Sequence, residues 1–410
     1  MPYEINVAEN SEVFEVYNRE IFDQAPLDPE RVQALVKLEI QARVKEMLTQ
    51  LLMRQVEEQI QAARYEHGAQ RRQDYRNGYY QRELSTTFGR FSLRVPRARQ
   101  MRLNYGIFAA YQRRWSEIDR LFLEAFIGGM SCRGVADRLA PLLGMECSGA
   151  TVAGLTEALD KAVQDFRMCP LSDEYQALVM DGMYLRIKQC GPQKRPVVAV
   201  IGLRPDGQMD LLAFRVCYSE NALEVEALVR SLKERGLKGM HLQTMTLDGD
   251  KGLEAAALAV YPYVRIQDCV FHRINRLHQN ALSKKRGRQM MREASKAFAA
   301  PSVREQQYAL RGFCAKWKAV EPQAIERFED RLDRCFEVSA LPLALRTKAS
   351  TTSVCENLFR QLRLRTNAIG AFENPRSVDR FVFALVKCKQ WIHLPGIIPN
   401  SPLIKSTHNN

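Results

Sequence analysis

The chain has 410 residues, 46% of them hydrophobic and 26% charged, with a formal net charge of +13. That length is enough for two to four domains, each with its own core, and no apolar run approaches the roughly 20 residues of a membrane-spanning helix. The ten cysteines include no C-x-x-C pair and read mostly as small buried hydrophobes of a reducing cytosol, and the cationic excess points to a polyanion as partner. The opening "MPYEINVAENSEVFE" lacks the basic-then-apolar order of a signal peptide, so a cytoplasmic location is expected.

The first element in chain order is a helix over residues 29–62. Val32, Val36, Ile40, Val44, Leu48, Leu52, Val56 and Ile60 recur every four residues. Because a helix turns every 3.6 residues, that stripe winds slowly around it. It must pack on its own chain or on a second subunit, and region 1–62 is read as helical with a possible dimer role. Residues 64–102 then carry ten Arg against three acids, interleaved with Tyr65, Tyr75, Tyr79, Tyr80, Phe88 and Phe91. The alternation at Phe91, Leu93 and Val95 predicts a β-hairpin turning at Phe88-Gly89, with arginines on its outer face. Arginine beside aromatic rings suits phosphate contact and base stacking; a merely solvated face is the plainer alternative. Arg76, Arg94 and Arg97 are the DNA-contact candidates of this basic region, 63–110.

Residues 116–165 have helical patterning. One segment ends at Gly128-Gly129, the next runs from a Ser131 cap to Gly144, and a third starts from a Ser148 cap. Small residues at the turns fit a helix-turn-helix, with the third helix as recognition element, although such helices also serve as plain scaffolding. Region 111–170 is assigned to DNA binding on this basis.

From residue 175 the pattern alternates between strand and helix. Strands are expected at 175–188, at "RPVVAVIGLRPDG" and "MDLLAFRVCYSE", joined as a hairpin by the Pro205-Asp206-Gly207 turn, at "LQTMTLDGD" and at "VRIQDCVF". Helices are expected at "NALEVEALVRSLKERG" and "KGLEAAALAVY". Three antiparallel strands followed by β-α-β make a mixed sheet with helices on its faces. Residues 273–350 read as helical and basic, with Lys284, Lys285, Arg286, Arg288 and Arg292 clustered; two more helices follow, and then a loose tail from 395.

Asp181 interrupts the most strand-like run, and Asp248 ends the fourth strand. The first and fourth strands of such a sheet are usually neighbours, so the two carboxylates should face each other at its end. Close acids repel unless a cation lies between them, and an all-oxygen set suits Mg²⁺ or Mn²⁺. Glu356, on a helix with Arg360, Arg363 and Arg365, is the best third acid. Two ions held by three carboxylates suit in-line attack at phosphodiesters. Arg363, two turns beyond Glu356 on the same face, is placed to bind a phosphate, and Arg360 and Arg365 are further DNA-contact candidates.

"DGMYLRIK", "LDGDKGLEAAALAVYPYVRIQDCVFHRINRL" and "TTSVCENLFRQLRLRTNAIGAFENPRSVDRFVFALV" resemble the three catalytic blocks of Mutator-type bacterial insertion-sequence transposases. "RNGYYQRELSTTFGRFSLRVPRAR" and "GMSCRGVADRL" resemble the N-terminal half of that family, so the likeness spans roughly residues 30–390. The resemblance implies an α/β catalytic core, a ribonuclease H-like mixed sheet over 171–272 and 351–394, with an all-helical insertion over 273–350. It implies Asp181, Asp248 and Glu356 as a DDE triad acting with Mg²⁺ or Mn²⁺. It also implies binding to terminal inverted repeats and target DNA, strand cleavage with 3′-hydroxyl transfer, and at least a dimer on DNA. The family's C-x-x-H pair falls on Cys269 and His272. Asp268 and His278 are poorly spaced to complete a zinc site with them, and a structural or DNA-positioning role is favoured. Two departures stand out. Asp250 follows "LDG" where the family often has His or Asn, and would perturb the metal site or face solvent. Cys355 precedes Glu356 where an aliphatic residue is usual. A regulator without catalysis and a ribonuclease H-like nuclease are the alternatives.

Overall fold

In the computed structural model, residues 29–66, 70–108, 112–191, 194–217, 222–388 and 392–396 are described. Residues 1–28 of the expected N-terminal helical region and most of the expected tail lie outside them. The chain divides into two compact units. The described residues of the first fall within 29–121 and 136–147, and those of the second within 122–135 and 148–396.

In the first unit, helix α1 (Pro29–Ile60) runs beside a hairpin of β1 (Arg76–Thr86) and β2 (Gly89–Ala98). The strands pair antiparallel from Arg76↔Ala98 to Thr86↔Gly89, which leaves Thr87 and Phe88 as the loop. Gly89 closes that turn at a φ of +128°, a backbone conformation that side chains disfavour. Phe91, Leu93 and Val95 alternate inward as expected and pack with Leu84 on Leu48, Leu52, Val56 and Ile60. The winding of α1 sets where this packing stops. A four-residue step overshoots a full turn by about 40°, so the stripe leaves the hairpin towards the start of the helix. Val32, Val36 and Ile40 accordingly stay exposed.

The second unit is built on a five-stranded sheet with spatial order β5-β4-β3-β6-β7. Its strands are β3 (Ala177–Arg186), β4 (Lys194–Leu203), β5 (Met209–Val216), β6 (Thr244–Leu247) and β7 (Arg265–Asp268). The first three are antiparallel; β6 joins β3 in parallel, and β7 joins β6 in parallel. The first and fourth strands are therefore neighbours, as expected. Most positions of β3 and β4 are buried, because helices cover both faces. On one face Leu178, Met180, Val198 and Val200 pack with α6 (Ala222–Glu234) and α7 (Lys251–Val260). On the other, Ala177, Val179 and Met183 pack with α13 (Ser353–Ile369) and α14 (Pro375–Lys387).

Between β7 and α13 lies a helical segment with its own core, including Leu277, Met290, Phe313, Trp317, Ile325 and Phe328. Its helices are α8 (Val270–Asn280), α9 (Lys284–Phe298), α10 (Val303–Lys318), α11 (Pro322–Glu329) and α12 (Leu343–Ala349). Pro322 separates α10 from α11, since proline supplies no donor for a continuing helix but fits a first turn.

Three local expectations are corrected. After α2 (Ser116–Ile127), segment α3 (132–142) starts from the Ser131 cap but loosens into a π-helical turn over Val135–Leu139. The third helix of the helix-turn-helix reading, capped by Ser148 as expected, breaks into α4 (Gly149–Glu157) and α5 (Asp160–Met168). The tightened turn at Leu159 sends Leu159, Val163 and Phe166 into the sheet core. Arg380 of α14 pairs with Asp160 and reaches Thr156, so these helices are anchored to the sheet. Finally, the strand expected at "VRIQDCVF" stops at Asp268, and Cys269 instead caps α8, its sulfur accepting from the His272 N–H.

Candidate active site

Alternation along β3 decides where Asp181 points. Ala177, Val179 and Met183 face α13, and Asp181 shares their side because successive strand residues alternate. The same parity applies to β6. Met245 and Leu247 belong to the opposite cluster, while the hydroxyl of Thr246 bonds the Ala349 carbonyl on the α13 side. Asp248 follows on that side. The parallel ladder ends at Val179↔Thr246, so Asp181 and Asp248 each lie two residues past it, level with each other. Glu356 sits in the first turn of α13, the helix that covers this face.

The three acids line one cavity of about 600 Å³, with His272, Arg360 and Arg363 also on its wall. Asp181 is only 5% exposed. Burial, then the neighbouring Asp248 carboxylate, push its carboxyl up to about 7, against the Gly182 N–H and His272, which favour the charged form. Its Oδ1 accepts from the Gly182 N–H at 2.9 Å, and among the described residues no Lys or Arg pairs with it.

The loop after β6 holds Asp248 from its backbone. Oδ1 accepts from the Asp250 N–H at 2.9 Å, and the Asp248 carbonyl accepts from Arg276 Nη2 at 3.0 Å. Gly249 is required between them. Its φ is +89°, and a Cβ there would stand 2.6 Å from Arg276 Nη2. Asp250 neither joins the carboxylates nor faces solvent unpaired. It caps α7, accepting from the Gly252 and Leu253 N–H groups at 2.7 and 3.0 Å, the ordinary use of an acid at a helix start. Cys355 is fully buried, and its thiol donates to the Val179 carbonyl at 3.6 Å, which docks α13 on the strand that carries Asp181.

The candidate DNA contacts separate by position. Arg360 and Arg363 line the cavity, and Arg363 pairs with no acid among the described residues. Arg365 turns back on its own helix, donating to the Gln361 carbonyl and side chain at 2.9 Å. On the hairpin, Arg94 and Arg97 are exposed and lie 4.9 and 4.8 Å over the rings of Tyr79 and Tyr80. Arg76 turns inward, donating to the Ala62 and Ala63 carbonyls and to Glu57.

Neither Asp268 nor His278 reaches the C-x-x-H pair to complete a zinc site. Asp268 is held in a buried ion pair with Arg273, and His278 packs against Gly287. Instead, ligand-capable atoms of Cys269, His272 and Glu356 lie within 4.8 Å of one another. Sequence reasoning missed two residues of this neighbourhood, Thr352 and Arg276. The signal for Thr352 was present: it precedes Glu356 by four residues, one helical turn.

The family described as "Transposase, Mutator family" matches residues 26–393. The chain is similar to the transposase of insertion sequence element IS905 from Lactococcus lactis, at 26% identity over 76% of this chain and 78% of that protein. It is similar to the transposase of IS256 in transposon Tn4001 from Staphylococcus aureus, at 26% identity over 90% and 96%. A transposase of IS406 from Burkholderia multivorans is 30% identical over 77% and 81%. Among solved structures, a chain from a simian T-cell lymphotropic virus intasome in complex with PP2A regulatory subunit B56 gamma shares 9% identity over 47% of this chain and 64% of that one. Its TM-score is 0.18.

Proposed function

The chain belongs to the Mutator family of transposases, and from that premise we propose that it binds its element's ends and cuts and joins DNA strands at the Asp181–Asp248–Glu356 cavity. The observation that carries this reading is the convergence of three carboxylates in one cavity, the most buried of them paired with no Lys or Arg among the described residues. Buried charges are paired or hold metals. Their oxygen-only donor set fits Mg²⁺ or Mn²⁺, and three carboxylates suffice for two ions. Such ions, once bound, activate a water or 3′-hydroxyl nucleophile and stabilise the departing oxygen.

The chain's own groups do the rest. β3 and β6 fix two carboxylates on a sheet whose rigidity limits their drift. Arg363, with Arg360 one turn before it on the cavity wall, takes the phosphate. The three antiparallel strands followed by two parallel ones also favour a ribonuclease H-like reading of the sheet, with the segment 273–350 as its insertion.

The test is direct. Purified protein and a duplex carrying the element's terminal repeats should yield nicked and joined strands in Mg²⁺ and none in EDTA. Specific binding with no divalent-dependent nicking would favour the regulator instead.

The hairpin is proposed as a second DNA-binding element. Arg94 and Arg97 are exposed and are backed by tyrosine rings. Replacing both with Ala should weaken end binding and reduce the salt slope by about 1 for each phosphate no longer neutralised. An unchanged slope in a salt titration would remove the hairpin from the interface. Among the described residues no helix is long and apolar enough to cross a membrane.

A further inference from the structure

Thr352 is the cap residue of α13, yet its side chain makes no cap hydrogen bond. Its hydroxyl goes elsewhere. Oγ1 lies 2.9 Å from Glu356 Oε1, 3.4 Å from Cys269 Sγ and 3.3 Å from His272 Nδ1. A hydroxyl has one proton to give. The shortest and charge-assisted partner, the carboxylate, takes it. The oxygen lone pairs then face the thiol and the imidazole. Thr352 is fully buried, so water does not compete for these bonds.

The sulfur is a hub of its own. Cys269 Sγ accepts from the Thr352 N–H at 3.3 Å and from the His272 N–H at 3.5 Å. It thereby ties the start of α8 to the start of α13. Residues 269, 272 and 276 follow at helical spacing along one face of α8. Arg276 on that face holds the Asp248 carbonyl. One helix face thus touches the supports of two of the three acids.

We propose that Thr352 is a positioning residue for Glu356, and that the C-x-x-H pair serves as its anchor rather than as a metal site of its own. This rests on the reading of Glu356 as a metal ligand. An ion seated between Cys269, His272 and Glu356 would have to displace the Thr352 hydroxyl and N–H from the sulfur. As an anchor, the sulfur instead fixes the hydroxyl, and the hydroxyl fixes which oxygen of Glu356 turns towards Asp181 and Asp248. Outer partners of this kind typically set metal affinity by 10- to 100-fold.

The experiment is a Mn²⁺ titration of the full chain followed by electron paramagnetic resonance of the free ion, with melting of the metal-free protein alongside. Wild type should bind Mn²⁺ in a manner lost in Asp248→Asn. Thr352→Val should weaken that binding by roughly 10- to 100-fold, and Thr352→Ser should restore it. If Thr352→Val melts at a lower temperature but binds Mn²⁺ like wild type, its role is structural alone and the proposal fails. Should Thr352→Val not fold, Cys269→Ala reads the same linkage: weaker Mn²⁺ binding supports the anchor, and unchanged binding refutes it. A Co²⁺–thiolate absorption band that disappears in Cys269→Ala would also overturn it, by making Cys269 a ligand. Wild type that binds no Mn²⁺ through Asp248 would sink the underlying active-site reading, a failure distinct from a Thr352 variant that binds normally.

Discussion

Asp248→Asn should abolish divalent-dependent strand cleavage while end binding persists. The substitution is close to isosteric and spares the structure around it. Asparagine still offers an oxygen to the Asp250 N–H, and the backbone carbonyl held by Arg276 is untouched. Gly249 keeps the turn in its left-handed conformation. What disappears is one negative ligand of the proposed metal site. The charge stabilisation that divalent ions give a phosphoryl transition state is worth several kcal/mol, so its loss should lower the cleavage rate by about a thousandfold or more. A nicking assay on a labelled end duplex reads the rate, and a gel-shift on the same duplex reads binding. Cleavage within tenfold of wild type would remove Asp248 from the chemistry. Lost binding together with lost cleavage would point to a folding defect, which the unchanged local contacts argue against.

Much of this arrangement was legible in the chain, and the reasons are physical. Strands buried on both faces read as continuous apolar runs, so 177–186 and 194–203 stood out, and a single acid inside such a run was conspicuous. The parity that puts Asp181 and Asp248 on one face follows from the period of two, once β3 and β6 are neighbours. Other features lay in contacts between distant segments, which no local pattern reports. The end of β7 at Asp268 depends on that carboxylate pairing with Arg273, and on Cys269 bonding a threonine 83 residues away. The break at Leu159 answers to the sheet core that receives it, not to helix propensity. Arg76 looked like its neighbours on the hairpin, yet the carbonyls at the end of α1 claim it. Composition shows how many arginines there are; only packing shows which are already committed.

The same packing argument gives the second large effect. In the metal-free protein Asp181→Asn should raise stability at pH 8, although it ends cleavage. Burial beside Asp248 raises the Asp181 carboxyl from 3.8 to about 7 in the folded chain. A raised folded value means that the native state holds a proton which the unfolded chain has released. Its contribution is therefore complete below about pH 4 and is lost as pH climbs from about 4 to about 7. Above that range wild type carries a buried carboxylate at a cost of up to about 4 kcal/mol, whereas asparagine has no proton to lose. The variant should melt roughly 5 °C or more above wild type at pH 8 without metal, and the gap should close as pH falls towards 4. Saturating Mn²⁺ should reverse the order, since a ligand stabilises only the form that binds it and binding must expel the Asp181 proton. The same linkage makes the wild-type metal requirement steeper below pH 7, with one proton released per site filled. Melting curves across pH, with and without Mn²⁺, separate these outcomes. A variant less stable than wild type at pH 8 without metal would show that the Asp181 carboxylate has a partner stabilising it, and that the strand is not under the electrostatic load assigned to it.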